Sequence, residues 1–169
     1  LVGAGLFVRS LMNLRTLDPG FQPDRLVAFT VDASLSGYDA GQQRQVLDRL
    51  RQELEAEPGV KSVSLASVPL MSNSAESSTI LVQGYQAKED EDMNPNFNYV
   101  GPGFFSTLAI PLVRGRDFGP GDAAGAPKVA VVNETFPRYF FGNQDPLGRR
   151  FGRRKDGKSD TQIIGVGRD

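Results

Sequence analysis

One helical pattern flanked by two strand-like runs constrains this chain most. Leu26 to Asp32 is rich in β-branched and aromatic residues, the composition of a strand. Asp39 then stands where an N-cap belongs, and Gln42, three residues on, can close a capping box. From there to about Ala56, Val46, Leu47, Leu50 and Leu54 recur on one helical face. Arg44, Asp48, Arg51, Gln52 and Glu55 take the other face. Pro58-Gly59 stops the helix, and Val60 to Ser67 alternates as a strand does. A β-α-β order predicts a sheet with a helix on one face.

The remainder continues in an α+β pattern. Residues 69–78 form a polar loop, Thr79 to Tyr85 a strand, 87–96 an acidic loop, and Phe97 to Val100 a short strand. Gly103 to Leu108 is long enough for two helical turns at most. Pro111 forces extended chain, Leu112-Val113 leads into Gly115-Arg116-Asp117-Phe118, and residues 119–127 are a loop rich in Gly, Ala and Pro. Lys128 to Val132 is almost continuously apolar, which predicts a central strand covered on both faces. Asn133 caps the next helix, Pro137 falls in its first turn, and Gly142 ends it. Arg149 to Phe151 and Gln162 to Val166 are strands, and Asp156-Gly157 between them suits a hairpin.

The start admits two readings. Residues 1–8 are all small or apolar, but too few to cross a bilayer, which takes about 20 residues. They form either a surface helix or the last turns of a membrane helix. Gly3-Ala4-Gly5 favours the second, because glycine costs stability in a soluble helix and is common in membrane ones. Leu6, Phe7, Leu11, Leu14 and Leu17 keep helical spacing until Asp18-Pro19-Gly20.

Composition removes whole classes of chemistry. The chain has no Cys, no His and no Trp. Disulfides, thiolate metal sites, cysteine nucleophiles, Ser-His-Asp triads and histidine-ligated zinc are all excluded. With 19 Lys+Arg against 20 Asp+Glu there is no basic excess for nucleic acid. No Gly-x-Ser-x-Gly elbow, Ser-x-x-Lys motif or P-loop occurs. Glu89, Asp90, Glu91 and Asp92 lack the spacing and the glycine of a calcium loop, and are expected to be solvated. Asn133-Glu134-Thr135 fits a glycosylation acceptor, but an N-cap explains the same asparagine. The one strong basic cluster is Arg149, Arg150, Arg153, Arg154, Lys155 and Lys158. Its default is a solvated hairpin tip. Arg149, Arg150, Arg153, Arg154 and Lys155 are the candidates for contact with anionic lipid head groups or a partner.

Several motifs in order carry a resemblance. These are Tyr99-Val100-Gly101-Pro102-Gly103-Phe104-Phe105, Leu108-Ala109-Ile110-Pro111-Leu112, Gly115-Arg116-Asp117-Phe118, and Val129 to Thr135. Asp145-Pro146-Leu147-Gly148 and Ile163-Ile164-Gly165-Val166 follow, and Gly5 to Leu11 and Asp18 to Phe21 precede them. Together they resemble the MacB-like periplasmic core domain of ABC-transporter permeases of the MacB/FtsX class, in the subgroup of duplicated orphan permeases. The resemblance implies that residues 1–17 extend the first membrane helix outward. It implies a core domain over 18–169 with a smaller β-rich subdomain inserted at about 70–125, in a chain truncated at its C-terminal end. The implied fold is α+β, a porter-like mixed sheet rich in β-α-β with helices on one face.

The resemblance also implies no catalytic, cofactor or metal residues in this domain, with ATP handled by a separate nucleotide-binding subunit or domain. Phe104, Phe105, Gly115, Arg116, Phe118, Asn133, Glu134, Pro146 and Gly148 match the family signature as turn, cap and packing positions. The implied partners are the ABC ATPase, a second permease copy and a periplasmic protein, with no nucleic acid. The implied location is the outer side of the bacterial cytoplasmic membrane. The implied role is mechanical coupling in efflux or in lipoprotein or peptide export. The competing readings are a non-catalytic ligand- or protein-binding module of an envelope protein and, more remotely, a carboxylate or Ser-Lys hydrolase.

Overall fold

The structure, a computed structural model, describes residues 20–33, 37–70, 72, 74–123 and 125–169. The expected outward helix over 1–17 lies outside the described residues. The elements are α1 (Ala40–Glu55), β1 (Glu76–Ser77), β2 (Ile80–Val82), β3 (Asn96–Phe97), α2 (Phe104–Thr107), β4 (Leu112–Gly115), β5 (Val129–Asn133), α3 (Thr135–Phe141), β6 (Arg150–Arg153) and β7 (Thr161–Gly167). The fold is α+β.

Among the described residues five strands form the main sheet. β2 pairs with β6, β6 with the start of β7, and β4 with its end, all antiparallel; β5 runs parallel along the other side of β7. The parallel pair is joined through α3, so β5-α3-β7 is a β-α-β crossover, with β6 inserted into the return. β1 and β3 form a separate antiparallel pair.

The predicted central strand is therefore misplaced. β5 has a strand partner on one side only among the described residues, whereas β7 is bonded on both. The apolar run of β5 reflects cover over its faces, and cover does not decide rank within a sheet. β7 ranks centrally because Gly165 and Gly167 let other chain segments come close. A Cβ at Gly165 would sit 2.7 Å from Arg116 O, and one at Gly167 would sit 3.2 Å from the Phe105 ring.

The core lies where α3 crosses the sheet. Ile80, Val82, Met93, Val132, Phe136, Phe141, Phe151, Ile163 and Val166 are buried together. Phe136 binds the layers: its ring centroid is 4.7 Å from Phe140 and 5.3 Å from Phe151. Ile163 and Ile80 have essentially no exposed surface. A smaller cluster sits at α2, where Phe105 packs against Phe104 and Phe118 beside the buried Leu108.

The N-terminal expectations change most. α1 forms as predicted, with Asp39 accepting from the Gly41 and Gln42 backbones and Gln42 closing the capping box. Its apolar stripe is only half covered, and no residue of the helix is fully buried. Leu26 to Asp32 joins no strand; Val27 is 84% exposed and Phe29 61%. From Val60 to Ser67 only the end is paired. Ala66 bridges Val100, Ser67 N–H donates to Tyr99 O, and Gly101 N–H donates to Leu65 O. An alternating pattern becomes a strand only where an edge supplies its hydrogen bonds. Among the described residues no such edge faces Leu26 to Asp32.

Candidate partner-contact surface

The signature residues gather around the ends of β4 and β7. Gly103 N–H donates to Phe118 O, and Asp117 accepts from Ser106 N–H, which closes the loop over α2. Gly115 has φ of +77°, and its Cα faces Ile164 O so closely that a Cβ would lie 2.1 Å from that oxygen. Only glycine meets both conditions. Arg116 then forks onto Asp122 at 2.6 and 2.8 Å. That fork, with the Gly119 N–H behind it, holds the Asp122 carboxyl down to about 2.

Asn133 accepts from Phe136 N–H at 3.3 Å, the capping role expected of it, although the helix begins at Thr135. Glu134 takes the backbone N–H of Asp169 at 3.4 Å, while the Asp169 carboxylate accepts from Thr135 and pairs with Arg138. Pro146 is buried, and Gly148, at φ of +81°, donates its N–H to Ile163 O. The structure thus places these residues at turns, at a cap and in tight packing.

The basic residues do not act as one cluster. β6 and β7 do form the predicted hairpin, turning through Arg154–Asp156 and Gly157. Arg149 lies over the Phe141 ring at 4.9 Å and donates to Asp145 O and to Gln144. Arg153 is stacked over Phe97 at 4.9 Å and Tyr99 at 5.3 Å and bonds Glu76 at 2.8 Å, with only 17% of its side chain exposed. Arg150, Arg154, Lys155 and Lys158 remain on the surface. The stacking rings lie outside the basic run: Phe141 ends α3, and Phe97 and Tyr99 belong to the segment at and just after β3.

The acidic run also divides. Glu91 is not simply solvated: its Oε1 accepts from Tyr85 at 2.6 Å and from Tyr139 at 2.5 Å, and its Oε2 accepts from Lys88 N–H. The Tyr139 and Tyr85 hydroxyls hold the Glu91 carboxyl down to about 2, and the bond to Glu91 pushes the Tyr85 phenol up to about 12. This clamp ties the loop before β3 to α3. No local signal could have found it, since Glu91 and Tyr139 are 48 positions apart.

Among the described residues no group of acids could hold a metal ion, and no helix is long and apolar enough to cross a membrane. The described surface carries positioned turns, stacked arginines and a partly basic hairpin.

A search of curated proteins found no match. The periplasmic region of MacB from Actinobacillus actinomycetemcomitans superposes with a TM-score of 0.54 at 20% identity, covering 78% of this chain and 57% of that one. The extracellular domain of the ABC-type transporter YknZ from Gram-positive bacteria gives 0.49 at 20% identity, covering 72% and 57%. A domain of a permease from Porphyromonas gingivalis gives 0.48 at 16% identity, covering 71% and 49%. The chain thus spans about half the length of the solved domains it matches, 49–57%. The profile of the MacB-like periplasmic core domain matches residues 2–169. The chain belongs to that family, the MacB-like periplasmic core domains.

Proposed function

We propose that this domain couples ATP hydrolysis, carried out on a separate cytoplasmic nucleotide-binding unit, to movement of substrates or partner proteins outside the membrane. The family match over residues 2–169 carries the reading. The geometry at the domain's entry is consistent with it. Gln22 N–H donates to the carbonyl of Leu108, which is itself 4% exposed. The chain is therefore bonded to the body of the domain within a few residues of the Asp18-Pro19-Gly20 stop. A displacement arriving along residues 1–17 would reach the sheet through a bonded joint, whereas a flexible linker would absorb it. In this reading the domain carries no chemistry of its own, two permease copies work together, and the cargo is of the efflux, lipoprotein or peptide type.

The test is a linker insertion in the full-length permease reconstituted with its ATPase in nanodiscs. Six Gly/Ser residues go between Leu17 and Asp18, and spin labels on Lys61 and Lys155 of both copies report domain distances. The expected result is that ATP still turns over while the nucleotide-dependent distance change disappears. An unchanged distance response would sink the coupling. Wild-type distances that ignore nucleotide would favour a passive binding module.

A further inference from the structure

The β6–β7 hairpin ends in a tip that is basic and held in place. Residues 150–160 carry five cations, Arg150, Arg153, Arg154, Lys155 and Lys158, against two acids, Asp156 and Asp160, in a chain of net charge -1. Arg153 is committed to Glu76, and Asp160 to Lys128 at 2.8 Å. Arg150, Arg154, Lys155 and Lys158 are exposed and in no ion pair among the described residues; Arg150 reaches only the Asp160 carbonyl, at 3.5 Å. Of the tip's own acids, Asp156 is left beside them. Lys88 and Glu89, which line a cleft with Arg154, carry opposite charges and cancel.

The backbone fixes this tip from both arms. Arg154 N–H donates to Thr79 O at 2.8 Å and Ser159 Oγ to Leu81 O at 3.3 Å, so the β2 segment grips both sides of the turn. Gly152 lets the arms close, since a Cβ there would lie 1.8 Å from Lys158 O. Four free cations are thus kept on one short turn, where like charges repel. An acidic partner removes that repulsion and meets a backbone that is already ordered.

Position decides which anion meets the tip. The entry segment lies at the far end of β7: Gln22 N–H donates to Leu108 O, Arg168 N–H donates to Pro111 O, and Leu112 pairs with Gly167. The tip immediately precedes Thr161, the first residue of β7. The length of the strand, about 20 Å at roughly 3.3 Å per residue, separates the two. That is about twice the Debye length of about 10 Å in 0.1 M salt. If residues 1–17 arrive from the membrane, lipid head groups lie by the entry and the tip faces away from them.

We propose that the hairpin tip docks an acidic face of another protein, whose carboxylates pair with Arg150, Arg154, Lys155 and Lys158. This deepens the proposed function by giving it a contact surface, and it rests on that reading only in choosing protein over lipid.

Fluorescence polarisation tests the docking on the full-length permease in phosphatidylcholine nanodiscs, at about 0.1 M salt. The probe is a fluorescein-labelled ten-residue peptide of alternating Glu and Gly, with alternating Gln and Gly as its neutral counterpart. The Glu peptide should bind and the Gln peptide should not. Arg154→Gln, Lys155→Gln and Lys158→Gln together should weaken the Glu peptide about tenfold, the size of three exposed ion pairs. Arg25→Gln, Arg44→Gln and Lys61→Gln together remove the same charge from other exposed positions and should leave binding unchanged. Phosphatidylglycerol nanodiscs should also leave it unchanged. No binding of the Glu peptide, equal binding of the two peptides, or equal losses in the two triple variants would overturn the proposal. Binding that disappears in phosphatidylglycerol nanodiscs would overturn it in favour of a lipid site. The linker insertion is read by distances instead, so docking and coupling fail independently.

Discussion

Replacing Gly115 with Ala should weaken the fold through two separable effects. The first is backbone conformation: at φ of +77° an L-residue pays about 1–2 kcal/mol. The second is contact. A Cβ there would lie 2.1 Å from Ile164 O and 2.7 Å from Gly165 Cα, both backbone atoms of the central strand, which cannot rotate aside. Forcing β4 away from β7 adds about 1–3 kcal/mol, the usual cost of overpacking. The sum is about 2–5 kcal/mol, a large part of the roughly 5–15 kcal/mol that holds a domain folded. With an m-value of about 2 kcal/mol/M, the urea midpoint falls by about 1–2.5 M. Two companion variants separate the effects. Gly157 has φ of +63° with nothing within 4 Å, so Gly157→Ala should show the conformational cost alone, about 1–2 kcal/mol. Gly121 has neither feature, and Gly121→Ala should stay within about 0.5 kcal/mol of wild type. Urea unfolding followed by circular dichroism measures all three. If Gly115→Ala falls no further than Gly157→Ala, the close approach of β4 to β7 is wrong.

Other consequences are as direct. Glu91 is held from 4.5 down to about 2, first by the Tyr139 hydroxyl. A lowered carboxyl pKa stabilises the fold above the unfolded value, and that contribution is lost as pH falls from about 4.5 towards 2. Tyr139→Phe should raise the Glu91 midpoint in a carboxyl-carbon NMR titration; an unmoved midpoint would break the clamp. Tyr85, raised to about 12, adds stability below pH 10 that is lost as pH rises towards that value, and an absorbance titration of the phenol should find it late. Phe136→Ala should cost about 3–5 kcal/mol in urea unfolding, because that ring joins α3 to β6; a loss below 1.5 would place the core elsewhere. Arg153→Ala should cost about 1–2 kcal/mol through its lost stacking, while the exposed Arg154→Ala stays within about 0.5. Equal effects would mean that the hairpin is uniformly solvated.

The α+β class, α1 with its capping box, the α3 boundaries, the β6–β7 hairpin and the lack of thiol and imidazole chemistry were all legible along the chain. Each depends on residues within a few positions of one another: Asp39 with Gln42, Asn133 with Phe136, Asp156 with Gly157. Local hydrogen bonding and backbone preference decide such features before any distant contact forms. Tertiary structure alone decided which strand is central, because β5 and β7 are both apolar and only the glycines of β7 admit neighbours on every side. It alone decided that Leu26 to Asp32 joins no strand, since β-branched and aromatic composition favours extended chain but cannot supply a partner edge. The same holds for the charged residues. Glu91 reads as one acid in a run of four and Arg153 as one base in a cluster. Their partners, two tyrosines in one case and Glu76 with two rings in the other, arrive through the folded sheet, where distance in space no longer follows distance along the chain.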